Sequence, residues 1–367
     1  MKRVDSMKKN ILIVDDSALM RRVLTDTVSS DPRFTVKNVA VNGEEGLKLL
    51  LASPELYDAV LLDIYMPKMT GLELLEELEK HKEVKARVII CSTKADESAE
   101  ETMTALEHGA FDFIKKPENL IHAKSNIFKD TLLAVLEVAT EAADRAKTAP
   151  VPANIKPVIP VQTPVRREFP IQKGSGSKII ALACSTGGPK TLQSVIPLLP
   201  KELDAPMVLV QHMPVGFTNS LAMRLNDMSK VQVKEAVNGE PLQKGTVYIA
   251  PGGKHLRVNC AGGIPKAEIS DDPPRDALRP CANIMYESLI DSKYDEIVCV
   301  VLTGMGADGT EGIKALKQKK RLYVIAQDEA TSVVYGMPKM VARAGLTDEI
   351  LPVTEIADII TKKVGVQ

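Results

Sequence analysis

The sequence predicts an α/β protein with two doubly wound domains, each built around a parallel sheet. Short apolar runs alternate with helix-like segments from about residue 9 to residue 140, and the alternation resumes at residue 178. Six prolines and a Gly-Ser-Gly-Ser run lie between these two stretches. Because proline removes amide donors and glycine adds conformational freedom, the intervening segment favours a semi-extended linker. A proline-rich recognition motif is the alternative interpretation of this segment.

The bulk composition narrows the class of protein. The 367 residues suit two or three domains, and the net charge of −1 provides no overall field that would attract nucleic acid or an anionic membrane. No apolar run approaches the ~20 residues that a membrane span requires, and no signal-peptide core is present, so a cytoplasmic protein is expected. The five cysteines are scattered without a C-x-x-C pair, which predicts reduced, buried thiols rather than a zinc or redox site.

Five strands are predicted in the first domain, with helices between them. The apolar runs that indicate these strands span residues 10–14, 35–41, 59–62, 87–91 and 111–114. A helix is predicted over residues 71–80, where leucines recur at helical spacing. Strands that alternate with helices in this way are typical of a parallel sheet with helices on both faces.

Acidic residues follow two of these strands. Asp15 and Asp16 come after the first strand and Asp63 after the third, so all three are expected at the carboxyl edge of the sheet. Three converging carboxylates repel one another unless a cation joins them, and Mg²⁺ prefers oxygen ligands and leaves positions open for phosphate oxygens. Ser92 and Lys116 end two further strands and could bind a phosphoryl group. Solvated acids in loops are the alternative, but it is disfavoured because all five positions fall at strand ends.

The residues around these positions resemble the response-regulator receiver domain. The resemblance covers about residues 9–132 and is carried by four motifs, which read Ile-Val-Asp15-Asp16-Ser, Leu-Leu-Asp63-Ile-Tyr-Met-Pro, Cys-Ser92-Thr and Lys-Lys116-Pro. It implies that Asp63 is the phosphoacceptor and that Ser92 and Lys116 sense the phosphate. It also implies a Mg²⁺ ion bound by Asp16 and Asp63, assisted by Asp15 and the backbone carbonyl of Tyr65.

The second domain repeats the alternating pattern. Its predicted strands span residues 178–184, 207–211, 231–236, 246–250, 296–303 and 322–326, and helices are predicted after Pro189, Asn219, Ala277 and Thr310. The pattern predicts a second parallel α/β domain.

A serine, a histidine and an aspartate fall just beyond three of these strands. Ser185 lies in Cys-Ser-Thr-Gly-Gly-Pro, where two glycines permit a tight turn and the proline suits a helix start. His212 ends the next strand, and Asp308 follows the strand at 296–303. Together they could form a catalytic triad with Ser185 as nucleophile. The serine motif only half matches the G-x-S-x-G elbow, so a phosphate-binding or structural turn remains open on these residues alone.

A dinucleotide site is a competing interpretation of the same region. Gly304-Met-Gly-Ala-Asp-Gly309 is a formal G-x-G-x-x-G after a strand, and Asp328 ends the following strand where a ribose-binding acid would lie. Little chain remains after it to complete a dinucleotide fold, and this interpretation assigns no role to Ser185 or His212.

The long motifs of the second domain resemble the catalytic domain of chemotaxis protein-glutamate methylesterases, the CheB family. They read Cys-Ser185-Thr-Gly-Gly-Pro, Val-Gln-His212-Met, Tyr-Ile-Ala-Pro-Gly-Gly, Asp276 and Leu-Thr-Gly-Met305-Gly-Ala-Asp308-Gly, within about residues 178–362. The resemblance implies Ser185 as nucleophile, His212 as base and Asp308 as its orienting acid. It places Thr186 and the backbone amide of Met305 in the oxyanion region. The expected domains are a receiver (9–132), a helix end and linker (133–177) and a Rossmann-like methylesterase domain (178–364).

The resemblance implies an enzyme that demethylates glutamate methyl esters on chemoreceptors and deamidates selected receptor glutamines. It implies a chemotaxis histidine kinase as phosphodonor, Mg²⁺ in the receiver and no cofactor in the esterase domain. No nucleic acid partner and no membrane insertion are expected. A receiver-controlled regulator without catalytic activity is the rival class, but the second half lacks the basic stripe that a DNA-binding output would need.

Overall fold

A computed structural model describes residues 8–92, 99–117, 126–148 and 176–366. The chain divides into two compact units, Met1–Ile155 and Lys156–Gln367. Most of the expected linker, residues 149–175, lies outside the described residues. Within the described ranges, no helix is long and apolar enough to cross a membrane.

The first unit contains the expected five-stranded parallel sheet. Its strands are β1 (Lys9–Val14), β2 (Phe34–Ala40), β3 (Ala59–Asp63), β4 (Arg87–Ser92) and β5 (Asp112–Lys115). The spatial order is β2-β1-β3-β4-β5 and every pairing is parallel, which is the flavodoxin-like arrangement. All five predicted strands are confirmed within one residue at each end.

Helices connect these strands. They are α1 (Ala18–Ser29), α2 (Gly43–Ala52), α3 (Gly71–Glu79), α4 (Ala99–Glu107) and α5 (Asn126–Thr148). A capping box begins α3: the Thr70 hydroxyl accepts from the Glu73 amide, and the Glu73 carboxylate accepts from the Thr70 amide. This local signal explains why the predicted start of α3 is confirmed.

The second unit contains a seven-stranded parallel sheet and a separate hairpin. The sheet strands are β6 (Lys178–Cys184), β7 (Met207–Gln211), β8 (Gln232–Glu235), β9 (Thr246–Ile249), β12 (Glu296–Val301), β13 (Arg321–Gln327) and β14 (Glu349–Leu351). Their spatial order is β14-β13-β12-β6-β7-β9-β8. Because β6 lies between β7 and β12, the chain reverses its winding there, and such a switch point opens a crevice at the carboxyl edge.

The helices of the second unit pack on the two faces of this sheet. They are α6 (Gly188–Val195), α7 (Phe217–Met228), α8 (Ala282–Ser288), α9 (Thr310–Lys317), α10 (Met337–Arg343) and α11 (Val353–Val364). The predicted helix at Asn219 begins two residues earlier, at Phe217. The central strands are buried except for the half-buried first residues of β6 and β12, as parallel strands covered on both faces require.

Three strands of the second unit were not predicted. The antiparallel pair β10 (His255–Asn259) and β11 (Lys266–Ser270) carries charged residues that interrupt the apolar signal, and β14 is only three residues long. The predicted strand at 296–303 is also too long, because β12 ends at Val301. Beyond it, the Thr303 amide donates to the Gln327 side chain at 2.8 Å rather than continuing the sheet.

Candidate functional site

Ser185 lies in the tight turn between β6 and α6. Gly187 adopts φ of 73°, and a Cβ there would lie 2.4 Å from the Val333 side chain, so this position requires glycine for two reasons. The Ser185 amide donates to the Thr303 carbonyl at 3.0 Å, which fixes the turn against the end of β12. Ser185 is half-buried at the switch point of the sheet, the position at which such folds place their sites.

His212 and Asp308 form the second part of this site. The His212 amide donates to the Cys184 carbonyl at 3.1 Å, which brings the histidine beside the serine turn. His212 Nε2 lies 2.8 Å from Asp308 Oδ2. When Nε2 carries the proton and donates to Asp308, Nδ1 is the ring nitrogen that can accept a proton. Within the described residues no hydrogen bond joins Ser185 Oγ to the ring, a contact that commonly tightens when a substrate binds.

Asp308 is buried among hydrogen-bond donors. Its carboxylate accepts from the amides of Ala282 (2.6 Å), Asn283 (2.9 Å) and Gly309 (2.9 Å), and from the Cys281 thiol (3.2 Å). Burial by itself would raise the pKa of Asp308. The His212 hydrogen bond and charge and the amides of α8 outweigh burial and lower the pKa to about 2. The carboxylate is therefore held ionised and aimed at the imidazole.

Asn283 supports the loop that carries Asp308. Its side-chain oxygen accepts from the amides of Gly309 (3.0 Å) and Gly312 (2.8 Å), so the start of α9 is tied to the start of α8. Neither Asn283 nor the Cys281 thiol is among the site residues predicted from the sequence. A helix was predicted after Ala277, but the backbone amides at its start carry no residue signature that could have paired them with Asp308.

The other proposed residues of the esterase site lie on the adjoining loops. Thr186 is buried, and its carbonyl accepts from the Thr303 hydroxyl at 2.9 Å. Met305 is 39% exposed. The preceding Gly304 packs so closely on the serine turn that a Cβ there would lie 2.8 Å from Ser185 Cβ. Asp276, in contrast, lies on an exposed turn with φ of 53°, outside the hydrogen bonds around Asp308.

The glycine-rich loop at 304–309 is occupied by contacts within the protein. The Gly304 amide donates to the Val334 carbonyl at 3.0 Å, and the Gly309 amide donates to Asp308 and Asn283. Asp328 accepts from the Thr331 amide at 2.9 Å and closes its own turn. These contacts leave the G-x-G-x-x-G pattern a structural role beside Ser185, and the dinucleotide interpretation is not favoured.

A second cluster lies at the carboxyl edge of the first sheet. Lys116 Nζ is 2.7 Å from Asp15 Oδ2 and 2.8 Å from Asp63 Oδ2, and all three side chains are buried. One carboxylate oxygen from each of Asp15, Asp16 and Asp63 lies within 4.8 Å of the others. The Lys116 amide donates to the Ser92 carbonyl at 2.6 Å, so these two residues are adjacent at the ends of their strands. Tyr65 lies in the loop after β3 and is 49% exposed.

The charges in this cluster depend on one another. Burial raises the pKa of Asp63, and the Lys116 charge and hydrogen bond oppose that rise. Burial alone would lower the pKa of Lys116, but Asp63 and Asp15 outweigh it and raise the pKa. One ammonium therefore faces at least two acids, and the excess negative charge suits a divalent cation.

These observations define the class of protein. The first unit has the fold and acidic cluster of a receiver, and the second carries a serine, a histidine and an aspartate at the switch point of a parallel sheet, as in a serine hydrolase. Comparison with known proteins agrees with this class. Residues 180–360 match the family model for the CheB methylesterase, and residues 11–127 match that for the response regulator receiver domain.

Individual relatives extend the match along nearly the whole chain. A protein-glutamate methylesterase/protein-glutamine glutaminase of Geobacillus kaustophilus is 40% identical over 97% of this chain and 98% of its own length. The protein of that name from Bacillus subtilis is 41% identical over 96% of this chain and 97% of its own length. The crystal structure of the Thermotoga maritima CheB methylesterase catalytic domain matches with 41% identity and a TM-score of 0.50, covering 51% of this chain and 99% of that domain. The chain belongs to the CheB methylesterase family and joins a methylesterase unit to a receiver.

Proposed function

We propose that this protein is a phosphorylation-activated esterase that hydrolyses glutamate methyl esters on chemoreceptors and deamidates selected receptor glutamines. The observation that carries the proposal is the His212–Asp308 pair beside the Ser185 turn, since this pair can activate a serine for acyl transfer. The two activities named for the relatives differ only in the group that leaves the acyl carbon. One site therefore serves both.

In the proposed mechanism, Ser185 Oγ attacks the side-chain carbonyl of the methylated glutamate while His212 accepts the hydroxyl proton. Asp308 remains ionised and stabilises the imidazolium that forms. Thr186 and the Met305 amide are the proposed donors to the oxyanion of the tetrahedral intermediate. His212 then protonates the leaving methoxide oxygen, which departs as methanol, or the amide nitrogen of glutamine, which departs as ammonia. Water, deprotonated by His212, finally releases the glutamate and restores Ser185.

In the receiver, Asp63 is the proposed phosphoacceptor and a chemotaxis histidine kinase the proposed phosphodonor. A Mg²⁺ ion would be held by Asp15, Asp16, Asp63 and the Tyr65 carbonyl. Its positive charge would offset the negative charge of the phosphoryl group during transfer. Lys116 already forms ion pairs with Asp15 and Asp63. In the proposal its ammonium and the Ser92 hydroxyl bind oxygens of the phosphoryl group on Asp63. The corresponding proposed domains are the receiver (9–132), the linker region (133–177) and the methylesterase domain (178–364).

The proposal is tested by methanol release from methylated receptor membranes. Ser185→Ala should lower kcat by roughly 10⁴–10⁶, as loss of the nucleophile does in other triads. Ser194→Ala is the matched control, because Ser194 is exposed on α6 and, among the residues that the structure describes, its hydroxyl donates to the Lys190 carbonyl alone. If folded Ser185→Ala protein releases methanol at a rate near that of the wild type, the triad assignment is wrong.

A further inference from the structure

Gln211, the last residue of β7, connects the two chain segments that carry Ser185 and His212. Its side chain is buried, with 2% exposure. Nε2 donates to the Ser185 carbonyl at 3.0 Å and to the His212 carbonyl at 3.1 Å, while Oε1 accepts from the Cys184 thiol at 3.0 Å. All polar atoms of this amide are therefore engaged with the two strand ends.

The chemistry of these partners requires an amide at position 211. Two carbonyl oxygens can be satisfied only by donors, and the thiol on the other side donates to an oxygen. A carboxylate would place an acceptor against two carbonyls, and an apolar side chain would leave the Gln211 contacts unmade. The orientation of the amide is thus set by its surroundings.

The sheet register explains why Gln211 reaches both segments. Cys184 and Gln211 are paired neighbours on β6 and β7, so their side chains lie on the same face. Ser185 and His212 are the next residues of their strands, and the His212 amide makes the final backbone bond to the Cys184 carbonyl. The side-chain amide of Gln211 links the two segments beyond this hydrogen bond, where the regular pairing of β6 and β7 has ended.

Gly188 provides the space for this arrangement. A Cβ at position 188 would lie 1.9 Å from Gln211 Oε1, so any larger residue there would have to displace the Gln211 side chain. The backbone amide of Gly188 also donates to the Ser185 carbonyl at 2.7 Å. That carbonyl therefore accepts from two donors, the Gly188 backbone amide and the Gln211 side chain. The absence of a side chain at Gly188 and the buried amide group of Gln211 therefore both permit the hydrogen bond from Gln211 to the Ser185 carbonyl.

We propose that Gln211 is a positioning residue for the esterase, holding the Ser185 turn and the His212 backbone in a fixed relation during acyl transfer. This inference rests on the proposed function of Ser185 and His212. Because Gln211 is buried beneath the turn, its loss should alter the reaction of bound substrate more than the binding of receptor. The predicted signature is a fall in kcat with little change in KM.

The test uses the full chain with Gln211→Met, which keeps the length of the side chain but makes no strong hydrogen bond. We expect kcat for methanol release, and the rate of Ser185 modification by a fluorophosphonate, each to fall roughly 10²-fold, the order expected for a 1 Å misplacement of reacting groups. KM on the same receptor membranes should stay within about twofold of the wild type, because uniform binding is retained. The matched control is Tyr286→Phe, which removes a buried hydroxyl that bonds the Val300 carbonyl in the same sheet, and should leave both rates near wild type.

Gly188→Ala provides an independent test, because it keeps the Gln211 side chain in the protein but displaces its amide group. It should lower the fluorophosphonate rate as Gln211→Met does, and adding Gly188→Ala to Gln211→Ala should lower that rate no further. If Gln211→Met does not fold, the labelling rate of the Gly188→Ala single variant, which keeps Gln211 in the chain, decides the question. Wild-type labelling in folded Gln211→Met or Gly188→Ala, or a loss confined to KM, overturns the inference. Wild-type protein that neither releases methanol nor reacts with the probe would instead refute the proposed function.

Discussion

Acid should destabilise the second unit because Asp308 must then take up a proton. The folded protein lowers the pKa of Asp308 from an ordinary 3.8 to about 2. A carboxyl whose folded pKa is depressed contributes stability above its unfolded pKa, and that stability is lost as the pH falls through the folded pKa. The window here runs from about pH 4 down to about pH 2. The gap is worth about 2 kcal/mol, since each tenfold change in proton affinity corresponds to about 1.4 kcal/mol.

Urea denaturation of the full chain, followed by far-UV circular dichroism, measures this contribution as a difference between wild type and Asp308→Asn. Other acids of the chain, including the receiver cluster, titrate in both proteins and cancel. The stability advantage of the wild type should be constant near pH 5 and shrink by about 2 kcal/mol toward pH 2. Asp271→Asn, which alters an exposed carboxylate, should show no such change. An advantage of the wild type that is independent of pH would refute the assignment of Asp308 as the buried, ionised partner of His212.

Three further predictions concern the receiver, the buried thiol and the connection between the units. Asp63→Asn should abolish phosphate uptake from a small-molecule phosphodonor with Mg²⁺, measured by intact mass; equal uptake in the variant would place the phosphorylation elsewhere. Cys184→Ala should keep most methanol release, because the two donor bonds of Gln211 remain, and cost ~1 kcal/mol of stability; inactivity in a folded variant would give the thiol a chemical role. Removal of residues 1 to about 172 should raise kcat/KM ~5–150-fold over the unphosphorylated full chain, if the receiver restrains the esterase. A folded fragment no faster than that chain would mean that the receiver activates by a direct contribution instead.

The positions of the candidate residues could be predicted because they follow from local sequence. Apolar runs mark buried parallel strands, and the residue after each run lies at the carboxyl edge, so Asp63, Ser185 and His212 could be assigned to sheet edges before any contact was known. Both sheets agree with that prediction. The hairpin β10–β11 could not be predicted in the same way, because its strands mix charged and apolar residues and lie outside the main sheet.

The sequence by itself therefore determined the fold class, the strand ends and the residue types available for acid, base and nucleophile. Only the tertiary structure decided which hydrogen-bond partners hold the acid, the base and the nucleophile in place. The partners of Asp308 include the backbone amides of Ala282 and Asn283, which have no side-chain identity that a motif could encode. Gln211 appeared in the sequence only as a neighbour of His212. Its role depends on the register of β6 and β7, which brings Cys184 and Gln211 side by side although they are 27 residues apart in the chain.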